Sequence, residues 1–139
     1  MRYDELIKRV SQETGLEREA DAAMRAVLRT LTERIGTDEA DDLAAQLPKE
    51  LKDAVPPLTA PERFDAEEFV RRVAGLADVP LEEARRITQG VFAVIRQAVT
   101  AGELADIHDR LPKDIDWLRL GWAPPERFAT GSAERAGEL

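Results

Sequence analysis

One histidine and several carboxylates are all that this chain offers to acid–base or metal chemistry. His108 sits between Asp106 and Asp109, with Glu103 just upstream. Imidazole with carboxylate oxygens is a set that a divalent metal accepts. A small-ligand or metal-dependent enzyme using Glu103, Asp106 and Asp109 with His108 is therefore the alternative reading. It needs those groups to converge in a cleft. HExxH spacing and a second imidazole are both missing, so a surface or partly buried histidine is the plainer expectation. The acidic run Asp38-Glu39-Asp41-Asp42 lacks the spacing of a calcium loop. Acids there suit the positive end of a helix that begins at Thr37 or Asp38. Glu17-Arg18-Glu19 and Glu82-Glu83 read the same way.

Other chemistries are excluded by what is absent. There is no cysteine, which removes disulfides, thiolate metal sites and cysteine nucleophiles. Ser11, Ser132 and His108 are too few to furnish a serine–histidine triad. Gly15, Gly36, Gly75 and Gly90 stand singly, so no glycine-rich phosphate loop is expected. Arg71-Arg72 and Arg85-Arg86 neighbour Glu67, Glu68, Glu82 and Glu83, the pattern of an ion-paired surface. No catalytic residue, cofactor site or metal site is assigned.

The positioning elements follow from composition and period. The 139 residues are 43% hydrophobic and 35% charged, a globular balance, with a net charge of −8. That acidity counts against nucleic acid and anionic membranes, which need a basic face. The opening MRYDELIKRV has no uninterrupted apolar core, and no stretch approaches a membrane span. A cytoplasmic location is the expectation. Apolar residues recur at i, i+3, i+4 and i+7 in Tyr3, Leu6, Ile7 and Val10, and again in Phe69, Val70, Val73 and Leu76. The longest stripe is Ala20, Met24, Val27, Leu28, Leu31 and Ile35, with Gly36 as its stop. Ala84, Ile87, Val91, Phe92, Ile95 and Val99 make a second such stripe, expected to stop near Gly102. Shorter helices carry Ala40, Leu43 and Leu47, then Leu104, Ile107 and Leu111. Asp65 reads as an N-cap and Pro80 as a first-turn proline. No run alternates with period two, so the class is all-α.

These stripes belong to a repeat. A shift of 64 superposes Glu19, Ala20, Val27, Glu39, Asp42, Leu47, Pro48 and Lys49 on Glu83, Ala84, Val91, Glu103, Asp106, Leu111, Pro112 and Lys113. Apolar character persists in Leu43/Ile107 and Leu51/Ile115, and Gly90 falls on Ala26. The reading is a compact helical bundle of two tandem, similar units of three to four helices. Unit one is 1–55, a proline-rich linker is 56–63, and unit two is 64–118, together one domain. Residues 119–139 are expected to form a partly disordered tail. Pro48 and Pro112 each break one helix and open a further turn. Small residues at 26 and 90 suggest close helix crossings.

FVRRVA (Phe69–Ala74), LAAQLPKEL (Leu43–Leu51) and IHDRLPKDIDWL (Ile107–Leu118) resemble the bacterial domain-of-unknown-function 2267 family. The resemblance implies a cytoplasmic, all-helical bacterial protein and carries no assigned catalytic residue. Leu47, Pro48, Lys49, Leu111, Pro112 and Lys113 form its repeated motif, read as structural. Beyond the second unit, Trp117, Leu118, Leu120 and Trp122 make the candidate interaction surface, since tryptophan is enriched in binding hot spots. They either present an apolar patch to a partner or second copy, or fold back to cap the core. The expected function is a non-enzymatic protein-interaction or assembly module that engages a protein or itself.

Overall fold

A computed structural model describes residues 1–57 and 59–111. Among these residues there are six α-helices, one 3-10 helix and no strand, as the periodicity predicts. They are α1 (Tyr3–Thr14), α2 (Ala20–Ile35), α3 (Thr37–Ala44), the 3-10 turn Lys49–Ala54, α4 (Ala66–Ala77), α5 (Leu81–Ala98) and α6 (Ala101–Asp109). Leu58, Pro112, Lys113, Trp117, Leu118, Leu120, Trp122 and the 119–139 tail lie outside the described residues.

The predicted stripes become the core, except at Leu76 in the last turn of α4, which is 48% exposed. Leu6 and Val10 of α1, Met24 and Val27 of α2, Phe69 and Val73 of α4, and Ala84 and Val91 of α5 have no exposed surface. They belong to one cluster that draws on every helix. Fully burying one such leucine or phenylalanine stabilises the fold by about 1.5–3 kcal/mol. The packing crosses between the halves: α1 lies on α5, and α2 lies on α4. Phe69 of α4 meets Phe92 of α5 edge-on, with centroids 5.9 Å apart and planes at 82°, the favoured geometry of an aromatic pair.

Helix ends follow local chemistry, with two departures from expectation. Asp65 caps α4, its Oδ1 accepting from the Glu68 N–H at 2.9 Å. Neither Thr37 nor Asp38 caps α3; its N-cap is Gly36, with no side-chain cap. The Thr37 hydroxyl instead donates to the Pro56 carbonyl and accepts from the Thr59 N–H at 2.7 Å. That choice joins α3 to the linker, which needed a partner for its own backbone. Gly102 does not end α5, which stops at Ala98; Gly102 lies in the first turn of α6. Thr100 caps α6 there, accepting from the Glu103 N–H, and a capping hydroxyl starts a helix more effectively than one glycine ends it.

The linker is pinned along α2. Glu62 N–H donates to Glu33 O and Thr37 N–H to Thr59 O, each at 2.8 Å. Gly36 has φ 90° and ψ 158°, and a Cβ there would stand 2.9 Å from Pro61 Cγ and Cδ. Only glycine suits both conditions. Arg72 of α4 binds Glu33 at 3.0 Å, Glu62 at 3.1 Å and Glu68 at 3.0 Å. Its guanidinium also lies over the half-buried Phe64 ring, 4.0 Å from the centroid. The expected ion-paired surface is thus present, and at Arg72 it ties helix, linker and α2 together.

Candidate functional site

The short helix α6 serves two neighbours with two different faces. Ala101, Leu104, Ala105 and His108, at i, i+3, i+4 and i+7, line a groove of about 310 Å³ over α5. Phe92, Ile95, Ile107 and Leu111 complete its apolar walls. Glu103, Asp106 and Arg110, at i, i+3 and i+7, belong to the side that meets α3.

Glu39 of α3 and Glu103 of α6 are each only 8% exposed. Carboxyl and carboxylate oxygens of Glu39, Glu103 and Asp106 lie within 4.8 Å of one another. Burial pushes the Glu103 carboxyl up to about 7, helped by the adjoining Glu39 carboxylate and by the negative charges of Asp42 and Asp106. Arg110 Nη2 reaches Glu39 Oε1 at 3.3 Å. The Oε2 atoms of both glutamates are buried and have no hydrogen-bond partner. Each such orphan costs on the order of 1–3 kcal/mol, more for a charge.

An ordinary helix start does not account for this pair. Each glutamate stands three residues after its N-cap, where a capping box would return the side chain to the N-cap N–H. The Gly36 N–H is already given to Thr32 O at 2.7 Å, and the Thr100 N–H to Gln46 Oε1 at 2.8 Å. Both glutamates are therefore released from the cap and turned toward each other. Asp38 and Glu39 do lie in the first turn of α3, as the helix-start reading expects, and tertiary packing in addition buries Glu39.

The cluster foreseen around His108 forms differently. Glu103 and Asp106 do converge, but with Glu39 of the other half. His108 is about half exposed, lies 3.6 Å from Asp109 and borders the groove. Among the described residues it joins no ligand cluster. Glu39 was legible only indirectly, as one of the charged identities at the 64-residue spacing.

In the repeated motif, Leu47 and Leu111 are buried and Pro48 is the N-cap of the 3-10 turn. Lys49 opens that turn. Gly90 is a close crossing, since a Cβ there would stand 2.7 Å from Thr14 Cγ2 and 3.3 Å from the Glu13 backbone of α1.

Fold and site together define an all-α protein whose two shortest α-helices bring a buried carboxyl pair together beside an apolar groove. The chain belongs to the DUF2267 family, described as uncharacterized conserved protein, whose profile matches residues 3–118. No curated protein matches it. No helix among the described residues is long and apolar enough to cross a membrane.

Proposed function

We propose that this chain is a non-enzymatic bacterial cytoplasmic assembly module whose contact surface is the C-terminal end carrying Trp117, Leu118, Leu120 and Trp122. The observation that supports the reading is the pattern of the 3-10 turn that follows Leu47-Pro48. There Leu51 and Ala54 are buried against the core, 1% and 9% exposed, while the Asp53 side chain is 79% exposed. The 64-residue correspondence sets Ile115 on Leu51, Leu118 on Ala54 and Trp117 on Asp53. The exposed position of the first unit thus corresponds to a tryptophan at the 64-residue spacing, and the buried ones to apolar residues. Tryptophan at a position of that kind is the composition of an interface hot spot.

The partner this reading names is a second copy of the chain. Light scattering across a concentration series, with Trp117→Asp as the comparison, tests it. The expected result is reversible dimerisation that weakens at least about tenfold in the variant, with helicity unchanged. A monodisperse monomer at high concentration, or dimerisation indifferent to Trp117→Asp, would overturn the reading.

A further inference from the structure

The buried carboxyl pair stands outside the assembly reading and is independent of it. We propose that Glu39, Glu103 and Asp106 bind one divalent cation of the hard, oxygen-preferring class between α3 and α6. Three features support the site. Their oxygens already lie within 4.8 Å of one another, so a single ion can bridge them without rearranging either helix. Two of the three side chains are more than nine-tenths buried, and each keeps one carboxylate oxygen with no partner. An ion supplies the contact that these oxygens lack. The charge balance also favours a dication: Asp42 adds its field to the three ligand carboxylates, and Arg110 returns one positive charge through Glu39 Oε1.

The donor set narrows the ion. With carboxylate oxygens alone, and neither thiolate nor imidazole in the cluster, Mg²⁺, Mn²⁺ or Ca²⁺ is the matching class. Asp106 is exposed, which leaves the ion a route in and room for water ligands. The site has a pseudo-symmetric origin in the sequence. Glu39 and Asp42 correspond to Glu103 and Asp106 at the 64-residue spacing, so each short helix brings the same Glu-x-x-Asp pattern to the contact. Helices α3 and α6 pack against each other, which is why the two patterns meet.

Manganese is the probe of choice, because its electron paramagnetic resonance signal reports free and bound ion directly. The full chain is stripped with EDTA, titrated with Mn²⁺, and compared with the Glu39→Gln/Glu103→Gln variant, which keeps side-chain volume and removes the charge. The expected result is one bound Mn²⁺ per chain, displaced by excess Ca²⁺ or Mg²⁺, with a rise of several degrees in melting temperature. The Gln variant, still folded and helical, loses both effects. Asp106→Asn keeps the buried pair and is expected to weaken binding at least tenfold. Equal manganese binding by wild type and the double Gln variant would overturn the proposal, as would the absence of bound ion at millimolar Mn²⁺.

Discussion

Glu103 is a group whose surroundings oppose its ionisation, and this has a definite consequence for stability. Its carboxyl rises from an ordinary 4.5 to about 7 in the fold, through burial first and the neighbouring Glu39 next. The folded protein therefore holds a proton that the unfolded chain has released. That contribution is fully present below about pH 4.5 and is lost as pH rises through 7. In EDTA, wild type should melt progressively lower than Glu103→Gln as pH climbs from 5 to 8, with the two nearly equal at the acid end. The slope can reach at most about 1.4 kcal/mol per pH unit for one proton. Parallel melting profiles for the two proteins would show that the fold does not perturb this carboxyl. The residue was visible in the sequence as a carboxylate just upstream of His108. Its burial was not, because it depends on Glu39, a residue 64 positions away.

At the scale of elements, Gly90 measures how closely α1 and α5 approach. Glycine inside α5 costs about 1 kcal/mol of helix propensity relative to alanine, so propensity alone favours Gly90→Ala. The crossing opposes it, since the added methyl would press on the Thr14 methyl and the Glu13 backbone. Thr14 is poorly placed to yield, because its hydroxyl donates to Val10 O at 2.6 Å. Overpacking of this kind costs about 1–3 kcal/mol. Gly90→Ala should therefore lower the urea midpoint with an unchanged m-value, and Gly90→Val should lower it further. A raised midpoint for the alanine variant would mean that α1 gives way and propensity wins. The sequence already hinted at this contact, since positions 26 and 90 share a small residue at the repeat spacing. Which helix approached there was decided by packing. The start of α3 and the end of α5 were less legible, because the linker takes the Thr37 hydroxyl and Thr100 caps α6 before Gly102 is reached.

Across the described residues the two halves share one core. Leu6 and Val10 of α1 are buried in a core that α4 and α5 complete, and a unit of about 55 residues is marginal on its own. Residues 1–60 expressed alone should show reduced helicity and a broad, non-cooperative thermal transition by circular dichroism. A sharp, independent transition would show that each half carries its own core. The net charge of −8 divides evenly, with 10 basic and 14 acidic side chains in residues 1–63 and again in 64–139. Among the described residues the buried charged side chains are Glu39 and Glu103, where the halves meet.

The sequence by itself determined the all-α class, the apolar stripe of each long helix, the proline break before the 3-10 turn, the Asp65 cap and the absence of cysteine chemistry. These are local matters of period, propensity and residue inventory, legible within a few turns of chain. Tertiary structure alone decided that α1 packs on α5, that Glu103 and Asp106 turn from His108 toward Glu39, and that both glutamates lose the cap partners their positions promise. Those outcomes depend on how helices cross between residues some 64 positions apart, and no local pattern encodes a crossing. The acid that read as part of a helix start at α3 became half of a buried pair because α6 was placed against it.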